Sequence, residues 1–387
     1  MAVRKGAVIV KKKRLLLPMI VFLLFIFLMT VLFIVTPKSD YSSLEKRYLE
    51  DFPEAKLEAI ANGEFEQGFE NYYADHFPIR NMWVGLNAYA NLFVGNNGSN
   101  GVYNADEGYL INEPASDDNR IDTNLTALAD FKKKIDVDMT FLLAPSTGYI
   151  MNDTLPRVHN EYKDDEYYGR IKSTLSDTDI DFVDIRSRFK SEAQSGNQLY
   201  YRTDHHWTTQ GAYTAYNQLM ITLGKEPAKK SEFKVESFPD FYGTTYSTSG
   251  FWFNMSDKIE LWQNPKNDNK ITLDITEGEE TNTYDTMYFK NHLKEDDKYP
   301  VFIDGNHALE TITNKNVKSG KVLVIKDSFA HSIAPFLAEN YNTVTLVDLR
   351  YYKNSISQLV KQGKYDEVLV IYGIDNFAAD TDLVWLS

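Results

Sequence analysis

The stretch of sequence that decides the fold is VLVIKDSFAHS, residues 322–332. Four consecutive apolar residues before a polar pair predict a strand that is buried on both faces of a sheet. We expect the strand to end at Ser328 and a helix to begin there. A serine at such a turn presents its hydroxyl above the carboxyl end of the sheet, where free amides of the helix can stabilise an oxyanion. An ordinary helix N-cap by Asp327 or Ser328 would produce the same residue pattern.

The alternation of apolar strands and helices continues on both sides of this stretch. Strands are predicted at 139–144, 182–185, 344–347 and 368–371, and helices at 125–133, 167–175, around 336–337 and at 355–361, with the alternation beginning near Asp118. Such alternation predicts an α/β fold with a parallel sheet covered by helices. Residues 227–318 carry no sustained helical period and are rich in Gly, Asn, Asp, Thr and aromatic residues. We therefore expect a β-rich insertion there, over the sheet edge.

An uncharged apolar run, LLLPMIVFLLFIFLMTVLFIVTP, occupies residues 15–37 and is long enough to cross a bilayer as a helix. It lacks the small residues of a signal-peptide cleavage site, which predicts a retained transmembrane anchor. Six basic residues and no acid precede it, so the positive-inside rule places a basic tail, residues 1–14, in the cytoplasm. The main domain is then expected outside the cell or in the periplasm, on a single-pass membrane protein.

The rest of the chain is acidic and contains no cysteine. Residues 37–387 hold 35 basic and 55 acidic side chains, a net charge of −20, which disfavours nucleic acid as a partner. The lack of cysteine excludes disulfides, a thiolate nucleophile and Cys-ligated metal centres. Apolar residues at three- and four-residue spacing predict a membrane-proximal helical collar at 38–100. A turn-rich break at 96–101 separates the collar from the α/β domain, 101–387.

The densest polar cluster is RTDHHWT, residues 202–208, just before a helix that Thr208 or Thr209 would cap. If Asp204 to His206 is extended, alternate side chains share a face, so Asp204 and His206 point together and His205 points away. A carboxylate could then orient an imidazole. Two alternatives stay open at this point: a turn cap with partly buried histidines, and metal ligation by Asp204, His205 and His206. Because no H-x-H or H-x-x-x-H pair supplies a further ligand, we predict no metal.

Together, the two clusters supply an acid, a base and a hydroxyl in the chain order Asp204, His206, Ser328. A serine triad is defined by geometry and roles rather than by the order of its members. Such chemistry requires no cofactor, and none is predicted.

Residues 203–208 resemble the signature of the DHHW family, and Lys326 to Phe329 resemble its serine turn. The resemblance extends to residues 301–307, to residues 347–352 and to the collar residues Asp75, Phe77, Pro78 and Arg80. The family is similar to SGNH-like proteins that O-acetylate exported polysaccharides, such as the alginate acetylation proteins. This resemblance implies an SGNH-hydrolase-like domain.

The resemblance implies that Ser328 is the nucleophile, His206 the general base and Asp204 its orienting partner. The chain departs from SGNH enzymes at Lys326, where they usually have glycine, and in its serine, which follows the Asp and His. The remaining oxyanion donors are therefore open. The Ser328 amide is one candidate, and Asn306 and Arg350 are others, for which a turn residue and a surface ion pair are the alternative interpretations.

These residues predict a membrane-anchored, extracytoplasmic serine acyltransferase or esterase that adds acetyl groups to a cell-surface or exported polysaccharide, or removes them. The resemblance also implies a membrane-bound acyltransferase partner that delivers acetyl groups across the bilayer. The alternative is a non-enzymatic glycan-binding or scaffold subunit of a polysaccharide export or modification complex.

Overall fold

The computed structural model of the chain describes residues 2–116 and 119–386, without the side chains of residues 2–15. Asp118, the basic side chains of the predicted cytoplasmic tail and the terminal Ser387 therefore lie outside the described part. The chain divides into two compact units, one up to Asn87 and one from Ala88 onward. The sequence places the boundary of the main domain near residue 101, and that domain division stays a prediction.

The first unit begins with a long helix that contains the apolar run. Residues Leu16–Val35 of this helix are long and apolar enough to cross a membrane, and nearly all of their side chains are exposed. The helices and strands up to the end of α4 are α1 (Ala2–Val35), β1 (Tyr41–Ser42), β2 (Arg47–Tyr48), α2 (Leu57–Asn62), α3 (Glu64–Asp75) and α4 (Arg80–Phe93).

The first part of the predicted helical collar is not helical. Residues 41–48 form a short antiparallel ladder, in which Tyr41 faces Tyr48. The ladder is fixed from outside, because Arg47 donates two hydrogen bonds to the buried carboxylate of Asp75, at 2.9 and 2.5 Å. These bonds from Arg47 lower the pKa of Asp75. The ion pair between Arg47 and Asp75, which are 28 residues apart, thus favours a ladder where the local apolar spacing predicts a helix.

The second unit contains most of the strands. Its elements are β3 (Gly98–Ser99), β4 (Val102–Asn104), β5 (Leu110–Asn112), α5 (Arg120–Lys132), β6 (Asp138–Ala144), α6 (Thr147–Ile150), α7 (Asp164–Leu175), β7 (Ile180–Asp184), α8 (Arg186–Gln194), α9 (Thr209–Thr222), β8 (Lys234–Phe241), α10 (Thr244–Ser249), β9 (Asp257–Gln263), β10 (Ile271–Glu277), β11 (Glu280–Tyr284), β12 (Leu309–Asn314), β13 (Lys321–Lys326), α11 (Ala330–Leu337), β14 (Thr343–Val347), α12 (Ile356–Gly363), β15 (Glu367–Gly373) and α13 (Ile374–Ala379).

A mixed sheet of eight strands forms the centre of this unit, in the order β11-β10-β12-β14-β13-β15-β6-β7. The five strands from β14 to β7 are parallel, whereas β10 pairs antiparallel with both β11 and β12, and β12 pairs antiparallel with β14. The predicted α/β class is confirmed, but the expectation of a purely parallel sheet is wrong. Part of the insertion extends the sheet instead of lying over its edge.

The strand that carries Lys326 is covered on both faces, as its apolar run predicts. Val322 and Val324 pack into a core with α9 and α11, and Leu323 and Ile325 pack into a second core with α5, α7 and α12. All four side chains are fully buried. This burial fixes the carboxyl end of β13, and therefore the position of the turn that follows it.

Candidate active site

The turn after β13 is held by a buried carboxylate. Asp327 accepts hydrogen bonds from the Phe329 amide at 2.9 Å, from the Gly373 amide at 2.8 Å and from the Asn376 side chain at 2.7 Å. The last two donors lie at and beyond the end of β15. Helix α11 begins at Ala330, after a turn through Ser328, because Asp327 caps this turn. No side chain caps α11 itself, so the N-cap interpretation of Ser328 is wrong.

Ser328, His206 and Asp204 lie in one hydrogen-bonded row. The Ser328 Oγ lies 2.7 Å from the His206 Nε2, and the His206 Nδ1 lies 2.5 Å from the Asp204 Oδ1. Asp204 and His206 are buried, and Ser328 is half-buried. The structure thus brings together the three residues that the sequence singled out. A Nδ1–H that donates to the carboxylate leaves Nε2 free to accept the serine proton.

The second oxygen of Asp204 is held by the start of α10. Asp204 Oδ2 accepts from the Thr244 amide at 2.7 Å and from the Thr244 hydroxyl at 3.0 Å. Burial of Asp204 opposes its ionisation, but His206, His205 and these hydrogen bonds keep its pKa well below the usual range. Gly243 permits this contact, because a Cβ there would lie 2.1 Å from the Asp204 Cβ.

The segment from Asp204 to His206 is bent rather than extended, so that premise of the sequence interpretation is wrong. Tyr200 and Trp207 form an antiparallel bridge, and the Tyr201 amide donates to the His206 carbonyl at 3.2 Å, which closes a tight loop. Inside this loop the His206 amide donates to Asp204 Oδ1 at 2.9 Å. The expected pairing of Asp204 with His206 therefore arises from a turn.

His205 does not point away from the other two residues. Its ring centroid lies 3.9 Å from that of His206, and its Nδ1 lies 2.6 Å from the Thr244 Oγ1. Because the Thr244 hydroxyl donates its proton to Asp204, the His205 Nδ1 acts as the donor in this bond. Burial, and then the neighbouring His206, lower the pKa of His205 to about 4. His205 is thus neutral at physiological pH.

Two aromatic side chains around the site were not singled out from the sequence. The Tyr299 ring stacks on His206 with a centroid distance of 4.0 Å and an interplanar angle of 9°. The Trp207 indole donates to the Ser332 hydroxyl at 2.8 Å and so fastens α11 to the loop of residues 200–207, the histidine loop. Trp207 is the last residue of the DHHW motif, so the motif could have indicated that it belongs to the site. Tyr299, among 25 tyrosines, had no such signal.

Arg350 contacts both Asp348 and Asn306. Arg350 donates to both carboxylate oxygens of Asp348, at 2.9 and 2.6 Å, and to the Asn306 Oδ1 at 2.9 Å. The ion-pair interpretation of Arg350 accounts for these bonds, and an oxyanion role for either residue stays a prediction. In the described part of the chain the Ser328 amide donates no hydrogen bond, which leaves it available to a ligand.

Lys326, which stands where SGNH enzymes usually have glycine, is fully buried among polar groups. Its Nζ lies 2.7 Å from the His331 Nε2, 3.4 Å from a Glu310 oxygen and 3.7 Å from an Asp348 oxygen. Burial raises the pKa of Glu310 to about 7, against the opposing effect of Lys326. The lysine is therefore accommodated by a local charge cluster beneath the serine turn.

Asp204, His205 and His206 also form the metal-ligating arrangement that the sequence left open. One ligand atom from each of them lies within 4.8 Å of the others. Two imidazoles and a carboxylate suit Zn²⁺. However, three of the four histidine nitrogens and both Asp204 oxygens already bond to one another, to Ser328 or to Thr244.

The fold and the site together define an α/β domain with serine, histidine and aspartate in contact at the carboxyl edge of a mixed sheet. The model of the DHHW protein family matches residues 183–347, a range that contains all three side chains. The resemblance to this family is therefore confirmed.

The curated proteins to which the chain is similar include two described as probable alginate O-acetylase AlgJ. The one from Azotobacter vinelandii is 22% identical over 199 residues, covering 49% of this chain and 51% of the relative. The one from Pseudomonas fluorescens is 22% identical over 181 residues, covering 45% and 46%. The chain spans about half the length of the curated relatives it matches.

Solved structures share the fold over most of the chain. A DHHW family protein from Eubacterium siraeum has a TM-score of 0.62 and 20% identity, covering 74% of this chain and 95% of the other. Bacillus cereus PatB1 with sulfonyl adduct has a TM-score of 0.62 and 20% identity, covering 74% and 98%. At this identity the likeness concerns the fold alone.

Proposed function

We propose that the chain is a membrane-anchored, extracytoplasmic serine O-acetyltransferase or acetylesterase of SGNH-like type that acts on a cell-surface or exported polysaccharide. The observation that carries this proposal is the 2.7 Å contact between the Ser328 Oγ and the His206 Nε2. The names of the AlgJ relatives support acetyl as the acyl group and polysaccharide as the acceptor.

In the proposed reaction the Ser328 Oγ attacks the carbonyl carbon of an acetyl ester while the His206 Nε2 takes the hydroxyl proton. Asp204 holds the imidazole in the required tautomer and stabilises the imidazolium that forms. The tetrahedral intermediate then collapses, the bond to the leaving alkoxide breaks, and His206 returns the proton to that oxygen. A sugar hydroxyl, or water, subsequently attacks the acetyl-serine by the same steps in reverse.

The oxyanion of this intermediate needs donors, and the unbonded Ser328 amide is the first that we assign. Asn306 is a second candidate, since Arg350 occupies its carbonyl oxygen and so directs its NH₂ group elsewhere. The contact between Arg350 and Asp348 supports a positioning role for the arginine.

We further propose that the helix over 16–35 anchors the chain in the membrane, with the basic N-terminus in the cytoplasm and the second unit outside. Acetyl donors of the coenzyme A type are cytoplasmic. A membrane-bound acyltransferase partner that passes acetyl groups across the bilayer would supply the donor to Ser328.

Two other functions are the alternatives, and the first of them has a specific observation in its favour. A metal-dependent hydrolase would use the clustered ligand atoms of Asp204, His205 and His206. A glycan-binding scaffold would keep the fold without turnover. Sensitivity of ester hydrolysis to a chelator separates the metal enzyme from the serine enzyme, and absence of hydrolysis separates the scaffold from both.

The test of the proposal is the variant Ser328→Ala in the purified chain. Hydrolysis of p-nitrophenyl acetate and labelling by a serine-directed sulfonyl fluoride should both be lost, while stability changes by no more than about 1 kcal/mol. The matched control is Ser173→Ala, an exposed serine on α7, which should keep both. Full activity of Ser328→Ala would exclude the serine mechanism.

A further inference from the structure

A groove of about 630 Å³ opens in the second unit, beside the carboxyl end of β6. One wall is the segment that follows β6, from Tyr149 to Tyr162. Glu107 and the side chain of Lys190 in α8 also line the groove. Ligands of open α/β sheets bind in crevices at this end of the strands. The volume lies within the range that small-molecule and cofactor sites occupy.

Contacts at the sheet edge connect this groove to the serine turn. The Ser146 hydroxyl lies 2.9 Å from Asp164 and 3.3 Å from Asp375, and the next residue, Asn376, donates to Asp327 beside the nucleophile. On the other side, Arg202 of the histidine loop donates to the Glu107 carbonyl at 2.9 Å. Strand β15 alone separates β13 from β6, which places β6, the strand that leads to the groove, roughly 10 Å from the strand that precedes Ser328.

Unused hydrogen-bonding groups line the groove. Within the described part of the chain, the side chains of Asn152, Asp153, Glu161 and Gln194 make no hydrogen bond to protein. They surround one concave volume in which the Tyr149 and Tyr162 rings are half-buried. Several acceptors and amide donors around aromatic rings suit a ligand that has many hydroxyls and few apolar groups.

The charges of the groove select against an acidic ligand. Glu107, Asp153 and Glu161 contribute three carboxylates, and Lys190 contributes one ammonium group, which already lies 3.7 Å from the centre of the Tyr149 ring. The whole segment after the apolar run is acidic as well, with a net charge of −20. A polyuronate would therefore be repelled, whereas a neutral chain would not.

We propose that this groove binds several sugar units of a neutral, hydroxyl-rich glycan, so that a neighbouring unit of the same chain reaches Ser328. The inference rests on the proposed acetyl transfer, and it names the acceptor class: a neutral polysaccharide instead of a polyuronate such as the alginate in the relatives' names.

The test measures binding separately from turnover. The full chain, carrying Ser328→Ala and solubilised in a detergent without a sugar headgroup, is titrated calorimetrically with cellohexaose, chitohexaose and hexaguluronate. At least one neutral hexasaccharide should bind, and hexaguluronate should bind at least about tenfold more weakly. Asn152→Trp, which fills the groove from an exposed position, should weaken the neutral ligand at least about tenfold with an unchanged melting temperature.

The matched control is Asn282→Trp on the exposed strand β11, which should leave binding unchanged. Replacing Asp153 by Asn and Glu161 by Gln together should reduce the difference in affinity between the neutral hexasaccharide and hexaguluronate. The proposal is overturned if neither neutral hexasaccharide binds, if Asn152→Trp binds as well as its parent, or if hexaguluronate binds more tightly. Because these titrations need no catalysis, failure of the acetyltransferase proposal would appear separately, as unaltered ester hydrolysis in Ser328→Ala.

Discussion

Asp204, His205 and His206 are neighbours in the chain with different partners, and we expect different consequences when each is replaced. His206→Ala removes the acceptor of the Ser328 proton and should lower kcat for acetyl-ester hydrolysis by about a hundredfold to ten-thousandfold. Asp204→Asn should be nearly as damaging, because an amide favours the wrong imidazole tautomer. His205→Ala should reduce kcat less, and its cost should appear mainly as a lower melting temperature.

The three variants are compared by ester hydrolysis and thermal unfolding under the same conditions. An inactive but stable His205→Ala beside an active His206→Ala would reverse the assigned roles. Loss of activity only together with loss of a bound metal would favour the metal enzyme.

The lowered pKa of His205 makes stability depend on pH in a defined direction. With a pKa of about 4 when folded, against about 6.5 when unfolded, His205 binds fewer protons in the folded state throughout that window. The free energy of unfolding should therefore fall as the pH is lowered from 7 to 5, by roughly 1–2 kcal/mol from this group. Urea titrations of the wild type and His205→Asn measure this free energy at each pH. An equal fall in both proteins would show that groups other than His205 cause the pH dependence.

The sequence allowed the meeting of Asp204 with His206 to be predicted, but for an incorrect geometric reason. The pairing depends on a bend closed between Tyr200 and Trp207, and a bend leaves no periodic signal. Thr244 and Tyr299 come from the insertion, which has no sustained period. Their contacts join positions 40 and more residues apart, so local pattern could not reveal them.

At the scale of elements, helix α10 approaches the histidine loop so closely that only glycine fits at its start. A Cβ at Gly243 would lie 2.1 Å from the Asp204 Cβ. Gly243→Ala should therefore destabilise the chain by about 1–3 kcal/mol and reduce ester hydrolysis, because Asp204 must shift. Thermal unfolding and the ester assay measure the two effects.

The control for this substitution is Gly169→Ala in α7, where an added Cβ meets nothing within 4 Å. Alanine should stabilise that helix by roughly 0.5–1 kcal/mol and leave activity unchanged. Equal stability and activity of Gly243→Ala and the wild type would show that the helix can move away from the loop.

Strands of the parallel region were predicted well because their apolar runs reflect burial on both faces. The predicted run 322–325 lies inside β13, and 344–347 lies inside β14. The antiparallel strands were harder to place, since only alternate residues are buried in β10 and β12, as at Leu273 and Ile275, and none is buried in β11. A strand with this burial pattern can belong to a separate insertion or to the main sheet. Here the pairing of β12 with β14 joins these strands to the main sheet.

At the scale of the whole molecule, charge and hydropathy predict a direction in the membrane. Protease added to protoplasts should digest the segment after Pro37 and spare the basic tail, because six basic residues precede the apolar helix. Western blotting against a tag at each end of the chain shows which end the protease has digested. A C-terminal reporter that is active only in the cytoplasm would contradict the assigned orientation.

The sheet pairs β6 with β15, although residues 138–144 and 367–373 stand at opposite ends of the second unit. Strand β6 can gain this central neighbour only after the chain has been synthesised as far as Gly373. Contacts of such high sequence separation slow folding, since a large loop must close before the pairing stabilises it. The second unit should therefore remain unfolded and open to chaperones until its last strand emerges, and truncation before β15 should leave an aggregation-prone chain.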